Sequence, residues 1–227
     1  MKVGYKKLGF VLGAVAALAF LPARADAQLV RYSPIFWSFE GNGGISVPLG
    51  DLSDVAESGP SFGLAAGYFL NPRLALRAEG SLEMFGSPTQ PDATDPDLRI
   101  WHFTGGLEYH LVDPTGNTTI AIDAGVGGVT FDTKVFQVND FPNSGDTATG
   151  SFQKTYLGAN AGLKLGYNFW RHSQSNTPMA TIFIQGDFNL MFADEDDSAL
   201  LAAQNGVPAF GTVYSVPITA GLRFNIP

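Results

Sequence analysis

In RLALRAEGSLEM, residues 73–84, each kind of side chain keeps to its own parity. Leu74, Leu76, Ala78, Leu82 and Met84 take the even positions, and Arg73, Arg77, Glu79 and Glu83 the odd ones, with Ala75 and Ser81. A helix would scatter the leucines around its axis, whereas a strand puts them on one face. The same alternation predicts eight strands. They are Phe36–Pro48, Ser61–Leu70, Arg73–Phe85, Arg99–Leu111, Thr118–Phe131, Ser151–Trp170, Thr181–Phe192 and Val213–Ile226. In the last, Tyr214, Val216, Ile218, Ala220, Leu222, Phe224 and Ile226 share one face, and Thr219, Gly221, Arg223 and Asn225 the other.

The connections alternate in length. Gly50–Pro60, Gly86–Leu98, Asp132–Gly150 and Ala193–Thr212 are long. Asn71-Pro72, Asp113–Asn117 and Arg171–Pro178 are shorter and rich in turn residues. Short turns on one side and long loops on the other predict an all-β fold, an eight-stranded antiparallel up-and-down transmembrane β-barrel. Both termini then lie on the periplasmic side and the long loops outside. Those loops hold 13 of the 20 carboxylates that follow residue 27.

The first residues change the charge picture. Lys2, Lys6 and Lys7 precede an apolar run, Leu8–Leu21, and a small-x-small site, Ala25-Asp26-Ala27. The run is short for a transmembrane helix, so residues 1–27 read as a cleaved secretory signal and 28–227 as one barrel domain. Removing Lys2, Lys6, Lys7, Arg24 and Asp26 would shift the formal net charge from -8 to -11. Such a chain repels nucleic-acid phosphates. With no cysteine, an exported fold must stand on its backbone ladders and core.

A soluble eight-stranded barrel would turn its apolar face inward. Two features favour the opposite orientation. Aromatics gather near strand ends: Trp37, Phe39, Tyr68, Tyr109, Phe169 and Phe224 at the short turns, and Phe85, Trp101, Phe131, Phe192 and Tyr214 at the long loops. They suit two interfacial girdles. The polar faces are rich in Gly, Ser and Asn, which fit a narrow lumen. On this reading Leu76→Arg should impair insertion far more than Arg77→Leu.

The stretches GISVPLGDLSD, GPSFGLAAGYFLNPRLALRAEGSLEMF and VPITAGLRFNIP resemble the small outer-membrane β-barrel proteins of Gram-negative bacteria, related in architecture to the OmpA transmembrane domain. The resemblance implies a place in the cell outer membrane. Outer-membrane lipid, lipopolysaccharide and the barrel-assembly machinery are then the expected partners, and a monomer the expected state.

The predicted lumen holds Glu40, Arg73, Arg77, Glu79, Glu83, Glu108, Asp123, Lys154, Lys164, Asp187 and Arg223. Buried charges must pair. The expected pairs are Glu40 with Arg223, Arg73 or Arg77 with Glu108, and Lys164 with Asp123 or Asp187. His102 and His110 share the lumen parity with Glu108 and form a candidate polar site, while His172 lies in a turn. No serine nucleophile accompanies them, so catalysis is not expected. Asp194, Glu195, Asp196 and Asp197 are a weak cation candidate that lacks the glycine and closing glutamate of an EF-hand loop. No cofactor is expected. The leading role is structural or surface-interacting. The alternatives are a narrow channel or carrier for a small solute or apolar ligand, and a lipid-modifying enzyme.

Overall fold

A computed structural model describes residues 35, 37–54, 56–86, 98–113, 116–138, 148–173, 177–193 and 212–226. The N-terminal segment read as a signal, most of the Gly86–Leu98 loop and the Asp194–Asp197 run lie outside them.

Eight strands follow one another: β1 (Trp37–Leu49), β2 (Gly59–Asn71), β3 (Leu74–Phe85), β4 (Leu98–His110), β5 (Thr118–Val138), β6 (Ala148–Arg171), β7 (Pro178–Phe192) and β8 (Val213–Ile226). Each pairs antiparallel with its neighbours in sequence, and β8 closes on β1. The result is an eight-stranded up-and-down barrel in which no strand edge is left unpaired around the circumference. At the closing seam the two backbones run close. A Cβ on Gly44 would meet the Ile218 carbonyl oxygen at 2.0 Å, so only glycine fits there.

Alternation decides the sides, and the barrel is inside out relative to a soluble one. Leu64 is 71% exposed and Ile218 60%, whereas Lys164 is 1% exposed and Glu83 fully buried. Phe169 and Trp170 break the alternation, both facing outward. The register between β6 and β7 shifts at Asn168–Trp170, and such a bulge adds one residue to the outer face.

Two expectations are corrected here. The loop predicted over Asp132–Gly150 is shorter, because β5 runs on to Val138 and β6 starts at Ala148. Thr133 is the last β5 residue paired to β4, and Leu157 the first β6 residue paired to β7. Between Lys134–Val138 and Ala148–Ser151 the two strands pair only with each other. The loop predicted over Gly50–Pro60 also has structure. Gly50 takes a positive φ of 60°, which a glycine tolerates, and starts a 3-10 turn, Gly50–Asp54.

Candidate functional site

The lumen is the one interior the fold creates, and its contents change from end to end. Nearest the short turns, Asn168 is the tie. Its Oδ1 accepts hydrogen bonds from Thr181 (2.6 Å) and Thr119 (3.3 Å), and its Nδ2 donates to the Gly116 carbonyl at 2.8 Å.

Above it lies a cluster of three cations and three carboxylates. Arg77, early in β3, donates through Nη1 to Glu40 (2.6 Å) and Glu108 (3.2 Å), and through Nη2 to Glu79 (3.1 Å). Lys164 Nζ lies 2.8 and 2.9 Å from the two Glu40 oxygens and 2.9 Å from Glu108 Oε2. It also stands 4.9 Å from the centroid of the Phe183 ring. Arg223 joins Glu40 and holds Glu108 with both oxygens at 2.5 Å. Formal charge balances within these six residues. His110 Nε2 lies 2.8 Å from Glu108 Oε1 and its ring packs on Phe69.

A second polar group sits nearer the long loops. Glu83 accepts from Ser46 and Asn189, each at 2.6 Å, and its Oε1 lies 3.0 Å from His102 Nε2. Between the two groups is a polar chamber of about 10 Å³, bordered by Glu79, His102, Asn160, Asp187 and Thr219. That is room for about one water molecule. The long-loop end is then filled by apolar side chains: Phe85, Ile100, Val129, Phe131, Tyr156 and Met191, joined by Leu52 and Ala56 from the segment after β1.

The predicted lumen set is therefore divided. Glu40, Arg77, Glu79, Glu108, Lys164 and Arg223 come together. Glu83 belongs to the group with His102, and Asp123 and Asp187 face each other across Gly162. Lys154 stands 5.6 Å from the centroid of the Tyr156 ring at the long-loop end. Arg73 leaves the set, since it lies exposed on the turn before β3. Of Arg73 and Arg77, it is Arg77 that meets Glu108, beside Arg223. Lys164 meets Glu40 and Glu108, not Asp123 or Asp187, because its long side chain reaches across the lumen instead of along its own wall. His102 and His110 do not form one site. They lie eight residues apart on one strand, roughly 27 Å, with different carboxylates.

Phe85 and Phe131 are also corrected. Their place near strand ends suggests the outer girdle, but they are buried at 0% and 4% exposure in the apolar plug. Sequence reasoning misses this plug, although strand parity carries the signal: Phe85 shares parity with Glu83, and Phe131 with Asp123.

No protein-family model and no curated protein matches the chain. Among solved structures the barrel is similar to Neisserial surface protein A, with a TM-score of 0.54 and 14% identity, covering 84% of this chain and 97% of that one. A major outer membrane protein from Thermus thermophilus follows at a TM-score of 0.48, 11% identity and coverage of 84% and 98%. The attachment invasion locus protein of Yersinia pestis gives 0.42, 14%, 84% and 100%. At such identity the likeness concerns architecture, and the chain has the fold of the small eight-stranded outer-membrane β-barrels.

Proposed function

We propose that the protein sits in the bacterial outer membrane as a filled barrel and works through the surface it displays rather than through a pore. The observation that carries this reading is the filled lumen. A charge-balanced cluster blocks the short-turn end, an apolar plug fills the long-loop end, and the chamber between them has room for about one water molecule. Eight strands leave an interior that side chains can fill.

The exterior supports the location. Leu64, Ile184, Ile218 and Phe103 are exposed on the belt, a surface that lipid solvates and water does not. Trp37, Phe39, Tyr68 and Phe169 lie outside at the short-turn rim, where aromatic residues suit a membrane interface. The similarity in fold to a protein named for the neisserial surface agrees with a surface role. In this reading residues 1–27 direct export, both termini face the periplasm, and the acidic long loops face outward. The bilayer lipid and lipopolysaccharide surround a monomer that the barrel-assembly machinery inserts. The lumen residues are structural filling, without a catalytic role for His102 or His110.

Two measurements test this. Refolded protein in a planar bilayer should give no discrete large openings, and recurrent openings would turn the reading toward the channel alternative. Fractionated native membranes should retain the protein in a heat-modifiable form. Recovery of the mature chain as a soluble species without detergent would remove the membrane assignment.

A further inference from the structure

Asp123 and Asp187 stand apart from the ion-pair cluster. Asp123 on β5 and Asp187 on β7 are both register partners of Gly162 on β6. Measured from the place a Cβ on Gly162 would occupy, Asp187 Oδ1 lies at 2.0 Å, Asp123 Oδ1 at 2.8 Å and Asp123 Oδ2 at 3.1 Å. The two carboxylates converge on the space that the missing side chain leaves.

Arg77 attracts both from a distance and Lys164 attracts Asp123, but no cation among the described residues makes a close contact with either. Arg77, Lys164 and Arg223 make their close contacts with Glu40, Glu79 and Glu108. Asp123 is only 6% exposed, yet neither of its oxygens has a hydrogen-bond partner among the described residues. Asp187 accepts one bond, from Gln185 Nε2 at 2.8 Å. The other acceptors of this wall are also unmatched. Gln185 is 2% exposed and its Oε1 has no partner, though its amide is fixed at Asp187. Asn160 Oδ1, on the same strand as Gly162, and Thr219 Oγ1, opposite Gln185 on β8, lack partners as well. From β5 to β8 the wall holds several buried oxygens without partners.

Two buried like charges that converge are costly unless something compensates them. A shared proton would neutralise one carboxylate and leave the neutral oxygens unmet. A doubly charged ion that takes oxygen ligands answers both needs, because Ca²⁺ and Mg²⁺ bind carboxylates, amide and hydroxyl oxygens and water. We propose that Asp123 and Asp187 bridge a hard divalent cation of the Ca²⁺ or Mg²⁺ class in the cradle over Gly162, with Asn160, Gln185 and Thr219 supplying oxygens at its rim. Among the described residues no group of three or more His, Asp or Glu side chains is placed to hold a metal. The site is accordingly one of two carboxylates completed by neutral oxygens and water, which suits a hard ion and not a zinc-type one. The adjoining chamber, bordered by Asn160, Asp187 and Thr219, leaves space for such a water.

The test uses the full mature chain, stripped with EDTA while unfolded and then refolded in detergent. Thermal unfolding is followed by heat-modifiable mobility in CaCl₂, MgCl₂ or NaCl at matched ionic strength. At a cation concentration about 100 times the Kd, the folded-to-unfolded ratio of the wild type should rise about 100-fold. The rise should vanish in Asp123→Asn/Asp187→Asn. It should also vanish in Gly162→Ala, which keeps both carboxylates but puts a methyl group in the cradle. Asp194→Asn/Asp196→Asn, in the acidic loop, should keep it. An equal divalent effect in wild type and both cradle variants would overturn the proposal and place the binding on the loops. Absence of any divalent effect beyond that of NaCl would overturn it in favour of a shared proton. The single Asp123→Asn variant, which relieves repulsion but removes one ligand charge, should lose most of the rise and serves if either cradle variant does not refold.

Discussion

The two ends of the lumen are filled by opposite kinds of chemistry. At the short-turn end three cations share Glu40, Glu79 and Glu108, and nearly every contact spans strands far apart in sequence, such as Lys164 with Glu40. At the long-loop end Phe85, Ile100, Phe131 and Met191 belong to one apolar cluster. The first arrangement depends on each partner, since removing one leaves a buried charge stranded. The second depends on volume and degrades gradually as side chains are trimmed. The short-turn end should therefore act as the specific lock of the barrel and the long-loop end as its tolerant stopper.

Glu108→Ala probes the lock most severely, because Glu108 meets Arg77, Lys164, Arg223 and His110. The expected loss is about 3–5 kcal/mol in urea unfolding of the refolded protein. A loss below about 1 kcal/mol would mean that water compensates the cluster and that the lock is not dry. Arg77→Leu should cost about 3 kcal/mol by the same logic. Leu76→Arg, on the outward face of β3 near the short turns, should cost about 0–1 kcal/mol if that face meets lipid near an interface. That order reverses the expectation from sequence alone, and liposome insertion yields for the two variants would settle it.

Phe85→Ala should cost about 3 kcal/mol, at the low end for a buried aromatic, because the plug borders the loops and can relax. Adding Phe131→Ala should loosen the stopper without opening a path, since the cluster still blocks the other end. Large conductance steps from that double variant in a planar bilayer would show that the plug is the main seal. The smallest effect concerns salt. Screening acts weakly on charges buried as deeply as Lys164 and Glu108, so moving from low to high NaCl should change wild-type stability by less than about 0.5 kcal/mol.

Sidedness is legible in the sequence because the strand period is two and the register hardly drifts. Leu76 and Arg77 can be assigned to opposite faces from their parity alone. Glu40 with Arg223 is also within reach, since an up-and-down barrel must close its first strand on its last and the two residues are direct register partners. Other partnerships are not. Which residues meet across the lumen depends on the stagger between strands and on side-chain reach, and neither leaves a trace in the local pattern. Lys164 can be placed on the inner face, but not 2.9 Å from Glu108. Phe85 and Phe131 mislead for another reason, because aromatic character near a strand end competes with parity and points the other way. The ends of β5 and β6 are hidden too, since ladder pairing continues through a stretch whose composition resembles a loop.

β5 and β6 form the longest hairpin among the described residues. Its five β5 residues beyond the last pairing with β4, at about 3.4 Å each, add roughly 17 Å of strand. A protease cutting the link between the two strands would still leave each half laced into the wall, β5 by β4 and β6 by β7. The nicked molecule should therefore run as one species when kept cold and as two fragments once boiled.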